Sequence, residues 1–224
     1  QSAASNNTGQ TEPTTNTTPT QVAQKGVSTG AVTSSDQNSV TVNGTKFNIS
    51  KADIKTNGGT GSKADLKQGR IVTVQADFEA DGSATASEIS YDNRLIGPVD
   101  SVNAETKTLV VMGQPIIVGN DTVLDDLTLA NLAAGSIVEV SGMLNGQGQI
   151  EASYLALSDQ QTDVFGVSGK VSQLDQEAMT FQINNLLVNF SQVSYLETIR
   201  QEITNDVVID VYGRLSDASG ARQL

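Results

Sequence analysis

Acidic residues alternate through Asp77-Phe-Glu79-Ala-Asp81-Gly82, and Glu88 follows a short way on. Carboxylates at positions one, three, five and twelve around a glycine at six are the spacing with which an EF-hand loop wraps calcium. Asp77, Glu79, Asp81 and Glu88 are thus a candidate ligand set, but two features weaken it. The calcium loop needs a helix on each side, whereas residues 71–74 and 84–89 read as paired strands. The corresponding positions further along the chain are Met143, Asn145, Gln147, Gly148 and Tyr154, which cannot hold calcium in that scheme. Asp81-Gly82 reads better as the turn of a hairpin.

Other motifs carry less. Asn57-Gly-Gly-Thr-Gly-Ser-Lys63 is rich in glycine like a phosphate loop. It lacks the Gly-Lys-Ser/Thr ending and the long following helix, so it reads as a connector. Asp125-Asp126 could approach a cation, yet acids at the start of a short helix are expected from its dipole. Phe47, Phe78, Phe165, Phe181, Phe190 and Tyr212 fall mostly at inward strand positions and read as core. The chain has no cysteine and no histidine. That removes thiolate zinc sites, disulfides, a cysteine nucleophile, and both the commonest general base and the commonest metal ligand. No serine stands beside a residue able to activate it. The sequence therefore presents no catalytic residue and implies no cofactor, and the chain reads as something other than an enzyme.

The elements that would position any site are short strands. Hydrophobic residues make up 37% of the 224 residues and aromatics only 4%, with 20 glycines and no tryptophan. Such a composition favours small cores of Val, Ile and Leu with many turns. Thirteen basic residues stand against 25 acidic ones, a net charge of -12. That balance argues against nucleic acid as a partner and against an anionic membrane surface. No apolar run approaches the roughly 20 residues that span a bilayer. Residues 1–25 are Thr-, Asn-, Gln- and Ser-rich without apolar periodicity, and read as a disordered tether.

Laid on itself, the rest of the chain repeats. Val40-Thr-Val42-Asn-Gly-Thr-Lys-Phe47-Asn-Ile49 aligns without a gap to Leu109-Val-Val111-Met-Gly-Gln-Pro-Ile116-Ile-Val118 and to Met179-Thr-Phe181-Gln-Ile-Asn-Asn-Leu186-Leu-Val188. Each block brackets a short turn and reads as a hairpin. A Gly-x-Val start precedes each one, at Gly30-Ala-Val32, Gly97-Pro-Val99 and Gly169-Lys-Val171. A fourth strand follows at Ile71-Val-Thr-Val74, Ile137-Val-Glu-Val140 and Val208-Ile-Asp-Val211. Between the third and fourth strands the first copy has a Gly-rich loop. Leu124, Leu127 and Leu132, and likewise Tyr195, Ile199 and Ile203, recur at roughly helical spacing, so the second and third copies predict a short helix there. The expected fold is all-β: three tandem five-stranded OB-like barrels over residues 26–93, 94–159 and 160–224, each with a short helix or loop between strands three and four. Short joints at Tyr91-Asp-Asn-Arg94 and Ser158-Asp-Gln-Gln-Thr162 predict a semi-rigid row. The acidic surplus lies mainly in the second and third copies. Lys46, Lys51, Lys55, Lys63 and Lys67 make the first copy the place for any contact with an anionic partner.

The run Asp65-Leu-Lys-Gln-Gly69-Arg-Ile-Val-Thr-Val74, followed by Asp81-Gly82-Ser-Ala-Thr-Ala86-Ser-Glu-Ile89, resembles the bacterial domain-of-unknown-function 5666 family. Leu132-Ala-Ala-Gly135-Ser-Ile-Val-Glu-Val140 and Gly148-Gln-Ile-Glu-Ala152-Ser-Tyr-Leu155 repeat the pattern. The third copy departs, with Asn205-Asp206 in place of Gln68-Gly69 and Ala134-Gly135. The resemblance implies an exported OB-like module often found in tandem, without a known activity or agreed functional residues. The tether is similar to those that follow the processed N-terminus of bacterial lipoproteins, and a lipid-bearing cysteine upstream of Gln1 would be the chain's connection to a membrane.

From these observations the expected function is an extracytoplasmic, non-catalytic binding or assembly module of the bacterial cell envelope or surface, with a protein partner. The alternative is a module that binds an oligosaccharide or a divalent cation. One further expectation concerns Gly220-Ala-Arg-Gln-Leu224, which aligns with Gly148-Gln-Ile-Glu-Ala152. The fifth strand of the third copy would then be incomplete, either because the chain is part of a longer protein or because the open edge takes a strand from a partner.

Overall fold

The computed structural model describes residues 24–56, 59–158, 163–193, 202–218 and 221–224. Most of the expected tether, Asn57 and Gly58 of the Gly-rich loop, the joint at 159–162 and most of the third helical segment (194–201) lie outside the described residues.

Alternating apolar and polar residues around a tight turn make the first hairpin. β1 (Gln24–Ser35) leads into β2 (Ser39–Val42) and β3 (Thr45–Asn48), and Asn43-Gly44 at the tip take φ of +50° and +77°. Positive φ at both central residues is what a two-residue turn matched to strand twist needs. β4 (Asp53–Thr56) and the short β5 (Gly59–Thr60) follow, then β6 (Ile71–Phe78) and β7 (Ala84–Tyr91). β1 pairs antiparallel with β2 and β6, β2 with β3, and β6 with β7, while β3 runs parallel to β7. Those pairings close a five-stranded barrel. The inward side chains Val40, Val42, Phe47, Ile49, Val74 and Ile89 are fully buried.

The same circuit of pairings recurs in β8 (Leu95–Asn103), β9 (Thr108–Val111), β10 (Gln114–Asp125), β11 (Ile137–Leu144) and β12 (Ile150–Leu157). β8 pairs antiparallel with β9 and β11, β9 with β10, and β11 with β12, while β10 is parallel to β12. The remaining strands are β13 (Val164–Asp175), β14 (Thr180–Ile183), β15 (Leu186–Asn189), β16 (Val208–Arg214), β17 (Ser216–Ala218) and β18 (Ala221–Gln223). Here too the hairpin forms, β13 pairs with β16, and β18 runs parallel to β15. Leu187 stands opposite Gln223, as Ile117 stands opposite Glu151 in the second set.

One backbone device recurs in each set. Gly69 N–H donates to Val32 O at 2.8 Å, and Val32 N–H to Arg70 O at 2.8 Å. Gly135 and Val99 repeat this exchange, with Ser136 O as the second acceptor, at 2.8 and 2.9 Å. Asp206 and Val171 repeat it again, with Val207 O, at 2.9 and 2.8 Å. The three exchanging residues have φ of +87°, +86° and +74°. Asp206 therefore adopts the left-handed geometry of the two glycines it replaces, which short polar side chains tolerate.

Between the third and fourth strands, the Gly-rich loop of the first set contains a single 3-10 turn at Lys63–Asp65, and the short helix expected in the second is also a single 3-10 turn, at Leu129–Asn131. Leu124 is not helical: β10 continues through it, and it pairs with Leu155 of β12. Cross-strand pairing outweighs a helical spacing too short to nucleate alone. Asp125 accordingly ends a strand, and Asp126 has φ of +55°, so neither begins a helix.

The first set has its own sheet and its own core. The second and third are fused: β13 also pairs with β8, through Gly166–Ile96 and Val167–Leu95, making one 11-stranded sheet over one hydrophobic cluster.

Gly69 and Gly135 separate two costs of adding a methyl group. Both have positive φ, but a Cβ at Gly135 would meet nothing, whereas one at Gly69 would lie 2.5 Å from Ser153 O. Gly135→Ala is expected to cost about 1 kcal/mol, the penalty of the left-handed conformation alone. Gly69→Ala is expected to cost more and to loosen the first set from the second. Thermal unfolding of the two variants, with amide exchange across residues 65–75, checks both; equal losses would contradict it.

Candidate functional site

The four acidic residues proposed as calcium ligands lie along the β6–β7 hairpin and do not converge. Asp81 sits in the turn, where its Oδ1 accepts from Ser83 N–H at 2.9 Å, and the bonds from Ser83 hold its carboxyl below the ordinary range. The turn closes with Glu79 N–H donating to Ser83 O at 2.9 Å. Glu88 lies well along β7, where it pairs with Lys55 of β4 and accepts from Gln75 Nε2 at 3.3 Å. Asp77 stands opposite Thr85 in the ladder, between the two. Among the described residues, no three of His, Cys, Asp and Glu gather as metal ligands.

The lysines of the first copy are largely engaged within the fold. Lys55 meets Glu88, Lys67 meets Asp125, and Lys63 donates to the carbonyls of Gln37 and Ser50. Of the aromatics read as core, Phe47, Phe181 and Phe190 are buried, but Tyr212 faces outward and is 48% exposed.

Two features carry chemistry that single-residue patterns did not reveal. The first is a polar cluster between the first and second sets. Arg70, only 4% exposed, lies with its Cζ 4.6 Å from the ring centre of Tyr154 and 5.4 Å from that of Tyr91. Its guanidinium donates to Asn93 Oδ1 at 2.8 Å and to Glu139 Oε1. Asn93 Nδ2 donates to the other oxygen of Glu139 at 3.1 Å. Arg70 Nε is buried without a hydrogen-bond partner, in a place where the ring faces of both tyrosines supply its electrostatic compensation. Tyr91 donates to Asp65 at 2.8 Å and Tyr154 to Asp125 at 2.7 Å, and Lys67 Nζ reaches Asp125 at 2.5 Å. Hydrogen bonds from Lys67 and Tyr154 lower the Asp125 pKa. Burial acts to raise that of Asp65, but bonds from Tyr91 and Ser62 prevail and lower it. Burial and the carboxylate acceptors push both tyrosines up to about 12. Nearly every polar atom in the cluster is spent on another member, so its chemistry is that of a joint.

The second feature is an open groove of about 890 Å³ beside β16. Phe181, Val188, Phe190, Ile203, Val211 and Leu224 line its floor, and Glu202, Asp210 and Arg214 stand at its rim. In the first set the inward positions of the fourth strand, Val72, Val74 and Ala76, are at most 3% exposed, and in the second Val138 and Val140 are fully buried. The matching residues Ile209, Val211 and Gly213 are only half-buried. On the outer face of the same strand Val208 is 57% exposed. An apolar floor with a charged rim suits a polypeptide or another partly apolar ligand.

Residues 29–90 and 96–155 each match the model of a domain of unknown function, DUF5666, together more than half of the chain. No curated protein matches the sequence.

The polar joint should respond to pH from both ends. Asp65 and Asp125 have lowered pKa values, so their contribution is complete above the unfolded value of about 4 and is lost as pH falls through the folded values. Tyr91 and Tyr154 have raised ones, so theirs is complete below an unfolded value of about 10 and is lost as pH rises toward about 12. Thermal unfolding between pH 9 and 12 is expected to show a loss on the order of 2 kcal/mol. Tyr91→Phe with Tyr154→Phe should lower stability at pH 8 and flatten that alkaline limb; an unchanged limb would contradict the assignment. Arg70→Ala is expected to cost about 3 kcal/mol at neutral pH, because it leaves Glu139 with Asn93 but without its cationic partner.

Proposed function

The chain belongs to the DUF5666 family, and we propose that it is a non-catalytic binding and assembly module of the bacterial cell envelope that presents barrel surfaces to a protein partner. The observation that carries this reading is the groove beside β16, with its apolar floor and charged rim. The order of pairing supports an OB-like reading of the first two units: strands one, two, three, five and four follow one another around the ring, with a short turn between three and four. The third unit repeats the hairpin, the pairing of its first and fourth strands, and the start of the parallel pairing between β15 and β18. Three units over residues 26–93, 94–159 and 160–224 would then form one row behind the segment 1–25, anchored or released outside the cytoplasm. A chain without cysteine or histidine suits such a place, where neither redox chemistry nor acid–base catalysis is asked of it. The net charge of -12 favours protein partners over nucleic acid, whatever OB-type domains do elsewhere.

Photo-crosslinking in intact envelopes tests the reading. A photoreactive residue at Tyr212, beside the groove, is expected to trap one discrete protein, while the same group at Met143, exposed on the second unit, samples the surface away from it. Calcium and envelope oligosaccharides should leave the melting temperature of the purified chain unchanged. A saturable melting shift with either, without a trapped protein, would replace this reading with a ligand-binding one. Substrate turnover in a hydrolase screen, abolished by one point mutation, would overturn it altogether.

A further inference from the structure

Three Asn-Gly pairs occur in the sequence, at 43–44, 57–58 and 145–146, and the middle one lies outside the described residues. A glycine after an asparagine leaves the side-chain amide open to attack by the next backbone nitrogen, because no Cβ shields that nitrogen. The fold treats the two described pairs in opposite ways.

Asn43 is turned back over β1. Its Nδ2 donates to Thr29 O at 2.9 Å and to Ser28 Oγ at 3.2 Å, and its Oδ1 would lie 2.3 Å from a Cβ on Gly30. The amide is thereby held away from Gly44. Asn145, half-buried in the turn between β11 and β12, bends forward over that turn instead. Its Oδ1 accepts from Gln147 N–H and from Gln149 N–H, both at 3.0 Å, and its Nδ2 donates to Gln149 Oε1 at 3.1 Å. Two backbone donors can meet only an acceptor, which fixes which end of the amide is oxygen. Gly146 is exposed, and among the described residues its N–H has no hydrogen-bond partner.

We propose that Asn145 is a site of self-modification, at which the fold promotes attack of Gly146 N on Asn145 Cγ and converts the asparagine to aspartate and isoaspartate. Hydroxide takes the proton from Gly146 N, and the new C–N bond closes a succinimide ring. Negative charge develops on Oδ1, where the amides of Gln147 and Gln149 already point, the arrangement that stabilises a tetrahedral intermediate in acyl transfer. The bond from Cγ to Nδ2 then breaks, and the nitrogen leaves as ammonia with a proton from water. Water opens the ring at either carbonyl: one opening gives aspartate, the other isoaspartate.

The product matters because of what the turn supports. Gly148 O accepts from Asn184 Nδ2 at 3.0 Å, and the same amide donates to Gln114 Oε1 at 2.8 Å. The turn is thus one of the contacts by which the second unit meets the hairpin tip of the third. Gly148 N–H closes the turn on Asn145 O at 3.0 Å. Isoaspartate carries the main chain through the former side chain, which lengthens it between residues 145 and 146. The carbonyl that accepted from Gly148 becomes part of a free carboxylate, the turn loses its register, and the hold on Asn184 goes with it. Aspartate keeps the main chain and both acceptors.

The test is to incubate the whole chain at mildly alkaline pH and follow each site by peptide mapping. Asn145 is expected to convert about tenfold faster than Asn43 in the folded chain. In denaturant, where only the shared Asn-Gly sequence remains, the two should convert at similar rates. Gly146→Ala should slow Asn145 severalfold and leave the fold intact, since a Cβ there meets nothing within 4 Å. Equal rates in the folded chain, a faster Asn43, the same preference in denaturant, or no slowing by Gly146→Ala would overturn the proposal. The modified fraction, separated by its added charge, is expected to show faster amide exchange at residues 184–186. Asn145→Asp, which carries the charge without the longer main chain, should not. Unchanged exchange in the modified fraction, or the same change in Asn145→Asp, would overturn the link to the third unit.

Discussion

Every strand in a ring must satisfy its backbone amides and carbonyls on both sides, and the rest of this structure follows from how the chain does so. The chain must return from the third strand to lie against the first, and it needs a tight corner to reach that position. Gly69, Gly135 and Asp206 make the corner with positive φ. Each then exchanges two backbone hydrogen bonds around Val32, Val99 or Val171. The exchange fixes where the fourth strand begins, and hence which of its residues point inward. Asp206 shows that the requirement is conformational: an aspartate that accepts the same φ keeps the same pair of bonds.

The two joints between successive sets use opposite chemistry. The second and third are joined as one fold, by strand pairing from β13 to β8 and by a continuous apolar cluster. Buried Gln114 reinforces that joint, donating to Ile183 O at 2.7 Å and accepting from Asn184 Nδ2 at 2.8 Å. The first and second meet instead through Arg70, two tyrosines and their carboxylates. A polar joint of that kind is directional. It holds one register between the units, because a guanidinium stacked on two rings and paired with Glu139 has no second arrangement of equal quality. An apolar contact of similar area would tolerate sliding. A row of units that must hold a fixed geometry is better served by the polar version, at the cost of sensitivity to pH.

What could be read from the residues was whatever depended on neighbours in sequence. The hairpins were legible because period-two alternation and turn residues such as Asn43-Gly44 act over a few positions. The glycine of each Gly-x-Val start was visible as a repeat, although its reason was not: a Cβ at Gly30 would strike Asn43, one at Gly97 would strike Met112, and one at Gly169 would strike Ile183. The polar joint was invisible, since Arg70 and Glu139 are 69 positions apart and nothing in the repeated runs that hold them pairs one with the other. Asp125 misled for a related reason. Its leucine neighbours have helical spacing, but β12 was available to pair with them, and a carboxylate that ends a strand can reach Lys67 and Tyr154 as one that starts a helix could not. The groove was half legible. Aligning Gly220–Leu224 with Gly148–Ala152 gave a register, and the observed pairing of Leu187 with Gln223 is the one that alignment requires. The apolar floor could not be foreseen, because it is assembled from β14, β15, β16 and Leu224 together.

The side chains of β16 bear on what the groove is for. An edge strand meant to face water ordinarily turns a charge inward, shortens, or carries a proline. β16 does none of these on its inner face, which carries Ile209, Val211 and Gly213, the residue types found at Val138, Val140 and Gly142 where a fifth strand covers them. Its more exposed positions alternate Val208, Asp210, Tyr212 and Arg214, so charge is present on the strand but stands at the groove's rim and not on its floor. A sequence that places its charges on one face and keeps the other apolar specifies an inside and an outside. The inner face of β16 thus has the composition of a covered surface, and covering it requires a strand that brings its own apolar residues and its own hydrogen bonds. An apolar small molecule would satisfy the side chains but leave the backbone edge unpaired, which is the physical reason to favour a polypeptide.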